Sequence, residues 1–336
     1  LSAGRLRVAV VGVGHLGSLH ARILAGHPRA ELLAVVDLDA ARARAVATPL
    51  GCAALPAGAT LPEGLQAAIV AVPTRQHADV AVPLLERGIA CLVEKPLAAD
   101  LASADRILAA AERGGALLAV GQIERFEPGV RRLREMGLVP RFIECHRLAP
   151  FRPRGLDVSV VHDLMIHDLD LLLHLTGSQV ESLDVSGAAI VTEELDLASA
   201  HLVFRSGARA NVTASRVSLD AMRRFRLFSE QGYVSLDFVR NHGLFVRKGA
   251  GFERERAALR TLDSQTLAQR PEPFGAELLE VSELALDGLE RPLQAELDSF
   301  LTSVAERRAP EVGGHDGRAA LALAERIESA IRAQVW

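Results

Sequence analysis

At 336 residues, with 49% hydrophobic and 24% charged side chains, the chain is long enough for two domains and too apolar to be disordered throughout. A formal charge of −4 gives no bulk attraction to nucleic acid or to an anionic membrane, and no apolar run reaches the roughly 18 residues of a spanning helix. Cys52, Cys91 and Cys145 are odd in number and scattered among apolar runs. That pattern, with no signal-peptide pattern ahead of the first strand, predicts reduced thiols in a cytoplasmic protein, without a disulfide framework or metal site. Lysine occurs only at Lys95 and Lys248; the other basic residues of the 38 are arginine. A lysine retained in such a chain points to a task for a compact ammonium rather than a planar guanidinium.

Leu6–Val11 is a short β-branched run that reads as a buried strand, followed at once by Gly12, Gly14 and Gly17. Leu16, Leu19, Ile23 and Leu24 then recur with helical period. In a G-x-G-x-x-G loop the first glycine permits the tight turn, the second lets a pyrophosphate approach bare backbone, and the third lets helix and strand pack closely. The next strand, Glu31–Asp37, ends on an acid 20 residues past Gly17, where a carboxylate can take the ribose hydroxyls of an adenosine. Leu38 after it brings no cation, which favours NAD over NADP.

Further strands are predicted at Ala67–Val72, Cys91–Glu94 and Leu117–Val120, with helices at His15–Gly26, Ala40–Leu50, Gln76–Arg87 and Leu101–Arg113. This alternation argues a doubly wound parallel sheet, an α/β domain over residues 1–122. Gly88 and Gly114-Gly115 stand where C-terminal caps belong. Cofactor contacts are expected from the loop (Gly12, Val13, Gly14, His15, Leu16, Gly17), from Asp37, and from strand ends and their turns (Val72, Pro73, Thr74, His77, Glu94, Lys95, Gln122).

Past Gln122 the texture changes. A strand at Phe142–Leu148 and a helical pattern over Val158–Leu175 precede a series of β-like runs from Val180 to Val246, punctuated by Ser206-Gly207, Gln231-Gly232 and Asn241–Gly243. Tight turns between consecutive strands predict a large, mainly antiparallel open sheet in an α+β domain over residues 123–336. Gly249–Pro292 reads as loop-rich, and Leu293–Glu306 and Asp316–Ala333 as amphipathic helices, the last of which could pack back on the first domain.

Three stretches could carry chemistry. Glu94-Lys95-Pro96 lies at the carboxyl end of a predicted strand; it could equally be a polar turn, and its Lys–Pro bond is one of the few that can be cis. Val160–Gly177 holds Asp163, His167, Asp170 and His174 in helical register. Asp163 and His167 are four apart, an imidazole beside a carboxylate, as general acid–base work near neutral pH requires. The competing readings are a solvated polar face and a metal site, the latter opposed by the divergence of His162 and His167 on an α-helix. Arg125, Arg147, Arg152 and Arg154 cluster near the change of texture, and arginine forks match the oxygens of a diphosphate.

With the glycine loop, Glu94-Lys95-Pro96 and Asp163-x-x-x-His167 in this order, nearly the whole chain resembles the glucose–fructose oxidoreductase/inositol dehydrogenase (Gfo/Idh/MocA) family. The resemblance implies a Rossmann domain binding NAD and a second domain whose open sheet makes a homodimer or homotetramer. It implies that Lys95 contacts the reacting hydroxyl and the nicotinamide ribose, that His167 is the general base and that Asp163 binds or orients the sugar. Gln122 stands where many members carry Asn. GQIERFEP and HRLAPFRPRGLDVSVVHDLMIHDLD look like stretches of the family's sugar-nucleotide 3-dehydrogenases. That likeness implies oxidation at C3 of UDP-N-acetylglucosamine, ahead of an aminotransferase in lipid A synthesis, with Arg125, Phe126, Arg147, Arg152 and Arg154 also at the substrate. A dehydrogenase of a free sugar, inositol or dihydrodiol, and a non-catalytic nucleotide sensor, are the alternatives.

Overall fold

The computed structural model describes residues 4–153, 158–261, 263, 265, 277–286 and 288–334. Within these the chain forms two compact units. The first comprises residues up to Phe126 together with Leu169–Leu171 and Glu290–Ser329; the second comprises Glu127–Asp168, Leu172–Leu289 and the residues from Ala330 onward. The first unit thus takes in Glu290–Ser329 as well as the residues before the change of texture.

The first unit holds six parallel strands: β1 (Leu6–Val11), β2 (Ala30–Asp37), β3 (Ala53–Pro56), β4 (Ala67–Val70), β5 (Ala90–Glu94) and β6 (Leu118–Gly121). Their spatial order is β3-β2-β1-β4-β5-β6. Connections reverse direction between β1 and β4, and doubly wound sheets bind ligands outside the carboxyl ends of their strands at that point. Val8, Ala9, Val10, Ala67–Val70 and Cys91–Val93 are all buried, because helices cover both faces and an alternating pattern would expose polar groups to the core. The crossovers are α1 (His15–Gly26), α2 (Ala40–Leu50), α3 (His77–Glu86) and α4 (Leu101–Gly114). Asp39 and Asp100 cap α2 and α4 by accepting first-turn N–H groups, and Gly51 and Gly115 end them in the left-handed region. The four-residue strand β3, half-exposed and rich in alanine, gave no readable signal.

The second unit is built on β7 (Phe142–Leu148), β8 (Val180–Ala188), β9 (Leu197–Phe204), β10 (Arg209–Ser215), β11 (Met222–Phe228), β12 (Tyr233–Asp237), β13 (His242–Lys248) and β14 (Leu279–Glu283). Their order is β14-β13-β12-β11-β7-β10-β9-β8, and every neighbouring pair is antiparallel except β7 and β10. One face buries Ile143, Cys145, Ala200, Leu202, Val212, Phe225, Leu227, Val234 and Leu236. The other carries polar pairs, among them Arg226 with Glu144 at 3.2 Å and His201 with Asn211 at 2.6 Å. Alternation along β7, β9 and β12 made those strands legible.

Three helical pieces escaped the sequence reading: a 3₁₀ turn at Ile123–Phe126, α5 (Pro128–Glu135) and α7 (Phe252–Thr261). The stretch expected to be loop-rich contains both α7 and β14; α7 buries no side chain, so no apolar stripe betrays it. The later helices are α6 (Ile166–Thr176), α8 (Pro292–Glu306) and α9 (Gly314–Arg332). No helix among the described residues is long and apolar enough to cross a membrane.

Candidate active site

Two of the three loop glycines are required by the fold itself. Gly12 has φ +87°, and a Cβ on it would stand 2.6 Å from the Ala71 carbonyl oxygen; one on Gly17 would overlap the Gly12 carbonyl. Gly14 is different: a Cβ there meets nothing within 4 Å. Its openness is the cradle a pyrophosphate needs, and α1 begins directly after it without a side-chain cap on its first-turn N–H groups. His15 is exposed at the first position of that helix, Leu16 is half-buried, and Val13 is buried.

Asp37 is pinned beside the loop. Its carboxylate accepts the Val13 N–H at 2.9 Å and the Asp39 N–H at 2.9 Å, leaving lone pairs for ribose hydroxyls. A cation does reach it: Arg42 Nη1, from the first turn of α2, lies 3.3 Å from Asp37 Oδ1. Leu38 itself brings no cation; the one present comes from five residues past Asp37.

Across the sheet, Val72 and Thr74 are half-buried and Pro73 exposed, ahead of a 3₁₀ turn at Thr74–Gln76. Gln122, directly after β6, is buried with neither amide atom partnered among the described residues. Such an orphaned amide fits a polar ligand at this strand end. The Lys95–Pro96 peptide is cis, and Lys95 is half-buried.

Two expected cofactor contacts have other employment. The His77 ring is buried, with Nδ1 2.9 Å from the Pro96 carbonyl and Nε2 2.9 Å from the Val72 carbonyl. It braces the turn after β4 against the turn after β5, and burial, opposed by these carbonyls, lowers its pKa. The Glu94 carboxylate also turns inward: Oε1 is 2.6 Å from His20 Nε2, and Oε2 occupies the space a Cβ on Gly121 would approach to 2.8 Å.

Two of the arginines expected at the substrate also have carboxylate partners. Arg125 closes its fork on Asp170, at 2.6 and 2.7 Å, with both side chains buried. Burial alone would lower the guanidinium's pKa, but Asp170 and Asp316 hold it above its ordinary value. Arg147 likewise holds Asp168, at 2.7 and 2.9 Å. In each fork the carboxylate takes Nε and Nη2 of the guanidinium. Phe126 is core, packed with buried apolar residues such as Val120 and Val312. Arg152 is exposed, and Arg154 lies outside the described residues.

Asp163 and His167 lie on a helix that begins as a single π turn, Val161–Met165, in which the Ile166 N–H donates to the Val161 carbonyl five residues back. Asp163 is half-buried within it and His167 buried just after it. A π turn holds more than four residues, so the pair four apart keeps a common face; it also narrows the divergence between His162 and His167 that an α-helix imposes. Such turns recur at functional positions. Asp196 braces its start: it accepts the N–H groups of Ile190, Val191 and Thr192 and the Arg216 Nε, while Arg216 donates to the Val158 carbonyl at 2.7 Å.

The sheet order, the open glycine and the acid at the tip of β2 put the chain in the class of dinucleotide-binding α/β proteins. Residues 6–122 match the family described as "Oxidoreductase family, NAD-binding Rossmann fold", and residues 142–235 match the GFO/IDH/MocA C-terminal domain. A UDP-N-acetylglucosamine 3-dehydrogenase of Acidithiobacillus ferrooxidans is 36% identical over 98% of both chains. A solved structure of a protein so named from that organism matches with a TM-score of 0.83 over 98% of this chain and 99% of its own, at 33% identity. A myo-inositol 2-dehydrogenase of Thermotoga maritima is 26% identical over 95% of this chain and 94% of its own. The chain belongs to the GFO/IDH/MocA family of NAD-binding oxidoreductases.

Three residues with structural consequence were missed: Arg42, His20 and Glu296. Arg42 is five residues past Asp37 and His20 three past Gly17, both within reach of local reasoning. Glu296 carries no local signal, since only folding brings α8 to β5.

Proposed function

We propose that the chain oxidises the C3 hydroxyl of a UDP-sugar, most readily UDP-N-acetylglucosamine, to a ketone, with NAD as oxidant and ahead of transamination of the product. The observation that carries this reading is the 36% identity over 98% of both chains to a protein named for that activity. The loop Gly12–Gly17, Asp37, Val72–Thr74 and Gln122 would hold NAD, which when bound supplies the hydride acceptor. His167 takes the hydroxyl proton, and Asp163 orients the sugar. Lys95 donates a hydrogen bond to the same oxygen and stabilises its developing negative charge. With Arg125 and Arg147 closed on aspartates, the diphosphate falls to Arg152 and Arg154. The subunits assemble through the polar face of the second unit's sheet, and the enzyme works in the cytoplasm, its ketone consumed by an aminotransferase.

One observation favours a second reading within the family. Half of the arginines offered to a diphosphate are already paired, as a dehydrogenase of a free polyol could allow. The test is NADH formation with UDP-N-acetylglucosamine, UDP-glucose, free N-acetylglucosamine and myo-inositol, with a ketone trap to draw the equilibrium. Turnover confined to UDP-N-acetylglucosamine supports the proposal. Turnover of a free polyol instead replaces the substrate, and NAD binding without turnover of any favours a sensor. With the active substrate, His167→Ala and Lys95→Ala should each lower kcat on the order of 10²–10⁴-fold; near-normal rates would remove the assigned roles.

A further inference from the structure

Directly behind Lys95 lies a group of ionisable side chains that the proposed chemistry does not use. Glu94 ends β5, His20 comes from α1 and Glu296 from α8, and all three are buried. Nε2 of His20 is 2.6 Å from Glu94 Oε1. One ligand-capable atom from each of the three lies within 4.8 Å of the others. Neither oxygen of Glu296, nor Nδ1 of His20, has a hydrogen-bond partner among the described residues.

Two carboxylates this close, shut away from water, cannot both ionise cheaply. The imidazole is already engaged by Glu94, so Glu296 is the carboxyl with no counter-charge. Among the described residues, other charged groups on the surrounding elements do not supply one. Arg125 of the 3₁₀ turn is closed on Asp170, His27 just past α1 holds Asp298 of α8, and Glu124 and Glu311 are themselves acids. Glu311 lines, with Glu296, Leu92, Val120, Phe126 and Phe300, a cavity of about 10 Å³, close to the least that one water needs. Glu94 and His20 do not line this cavity; the gap between Glu296 and Glu94 is wider than a hydrogen bond but within 4.8 Å, a span that a bridging proton donor such as one water can cover.

We propose that His20, Glu94 and Glu296 form a proton-sharing positioning cluster, in which a protonated Glu296 and the His20 N–H both donate toward the Glu94 carboxylate and so fix the strand end that carries Lys95. Burial first, and the Glu94 charge second, push the Glu296 carboxyl well above its ordinary range, in keeping with that protonation. Glu94 and Lys95 are adjacent, so the anchor of one sets the backbone of the other. His, Glu and Glu are also the donors of a cation site, but the short His20–Glu94 hydrogen bond already uses one atom of each. The catalytic part of this inference rests on the role proposed for Lys95; the protonation of Glu296 does not.

The first test is therefore independent of any substrate. Infrared difference spectra of the full-length protein, wild type minus Glu296→Gln, should show the carbonyl stretch of a buried protonated carboxyl at neutral pH. A carboxylate band instead would overturn the proposal. So would one equivalent of divalent metal retained after dialysis and lost in Glu296→Gln, since a metal ligand must be deprotonated. The second test uses the active substrate. Glu296→Ala should lower kcat by up to about 10²-fold, the scale of a small misplacement of a reacting group, with a smaller change in KM for NAD. Glu296→Gln, neutral and still a donor, should restore most of that loss. If Gln were as impaired as Ala at equal folding stability, an ionised Glu296 would be required and the cluster as proposed would be wrong. Absence of turnover with every substrate would count against the proposed function and leave the infrared result standing.

Discussion

Arg147 closes both arms of its guanidinium on Asp168, the residue that follows His167. Both side chains are buried, so the pair holds β7 to the helix that carries the proposed base. Arg147→Ala should leave Asp168 as an uncompensated buried charge and cost about 3–5 kcal/mol of stability. Urea unfolding measures this directly. A variant of unchanged stability but raised KM for a UDP-sugar would instead mark Arg147 as a phosphate ligand.

The glycines of the first loop should separate by role. Gly14→Ala places a methyl in open space and should change folding stability by no more than about 1 kcal/mol. The same methyl stands where the pyrophosphate must approach, so the Kd for NAD should rise on the order of tenfold or more. Gly17→Ala drives a methyl into the Gly12 carbonyl and should cost about 1–3 kcal/mol of stability in addition. Thermal unfolding with and without NAD distinguishes the two.

Asp37 and Arg42 form a pair whose balance sets the choice of dinucleotide. The carboxylate opposes a 2′-phosphate, and Arg42 at 3.3 Å is a cation that could receive one. Asp37→Ala should therefore shift the ratio of kcat/KM for NADP to that for NAD upward by at least about tenfold. Adding Arg42→Ala should reverse that gain. Tighter binding of NADP than NAD by the unaltered chain would contradict the assignment of Asp37.

Acid should loosen the second unit through Asp196. Burial would raise its pKa, but the Thr192, Val191 and Ile190 N–H groups and Arg216 outweigh burial and hold it well below the usual carboxylate range. The folded form thus binds this proton more weakly than the unfolded chain does. Its contribution is fully present above the ordinary value of about 3.8 and is lost as pH falls below it toward the depressed folded value. Asp196→Asn should be less stable at neutral pH and should lose less on acidification from pH 5 to 3. Parallel stability profiles for both forms would show that Asp196 is not the group responsible.

Elements whose patterns are local could be read from the residues alone. β1 and the glycine loop follow from a β-branched run and from what a Cβ would strike, the alternating strands from period two, and the order of strands and helices from their alternation. Asp37 was legible because its spacing from Gly17 is a property of the chain. Which polar groups are already satisfied became visible only in the folded chain. Arg125, Arg147, His77 and Glu94 carry the chemistry a ligand would need, and each is instead closed on a partner between 19 and 74 residues away. Folding also supplied Arg42 to Asp37 and Glu296 to Glu94. The physical reason is that pairing energy depends on distance and burial, which a sequence does not contain, whereas backbone preference and hydrophobic period are written residue by residue.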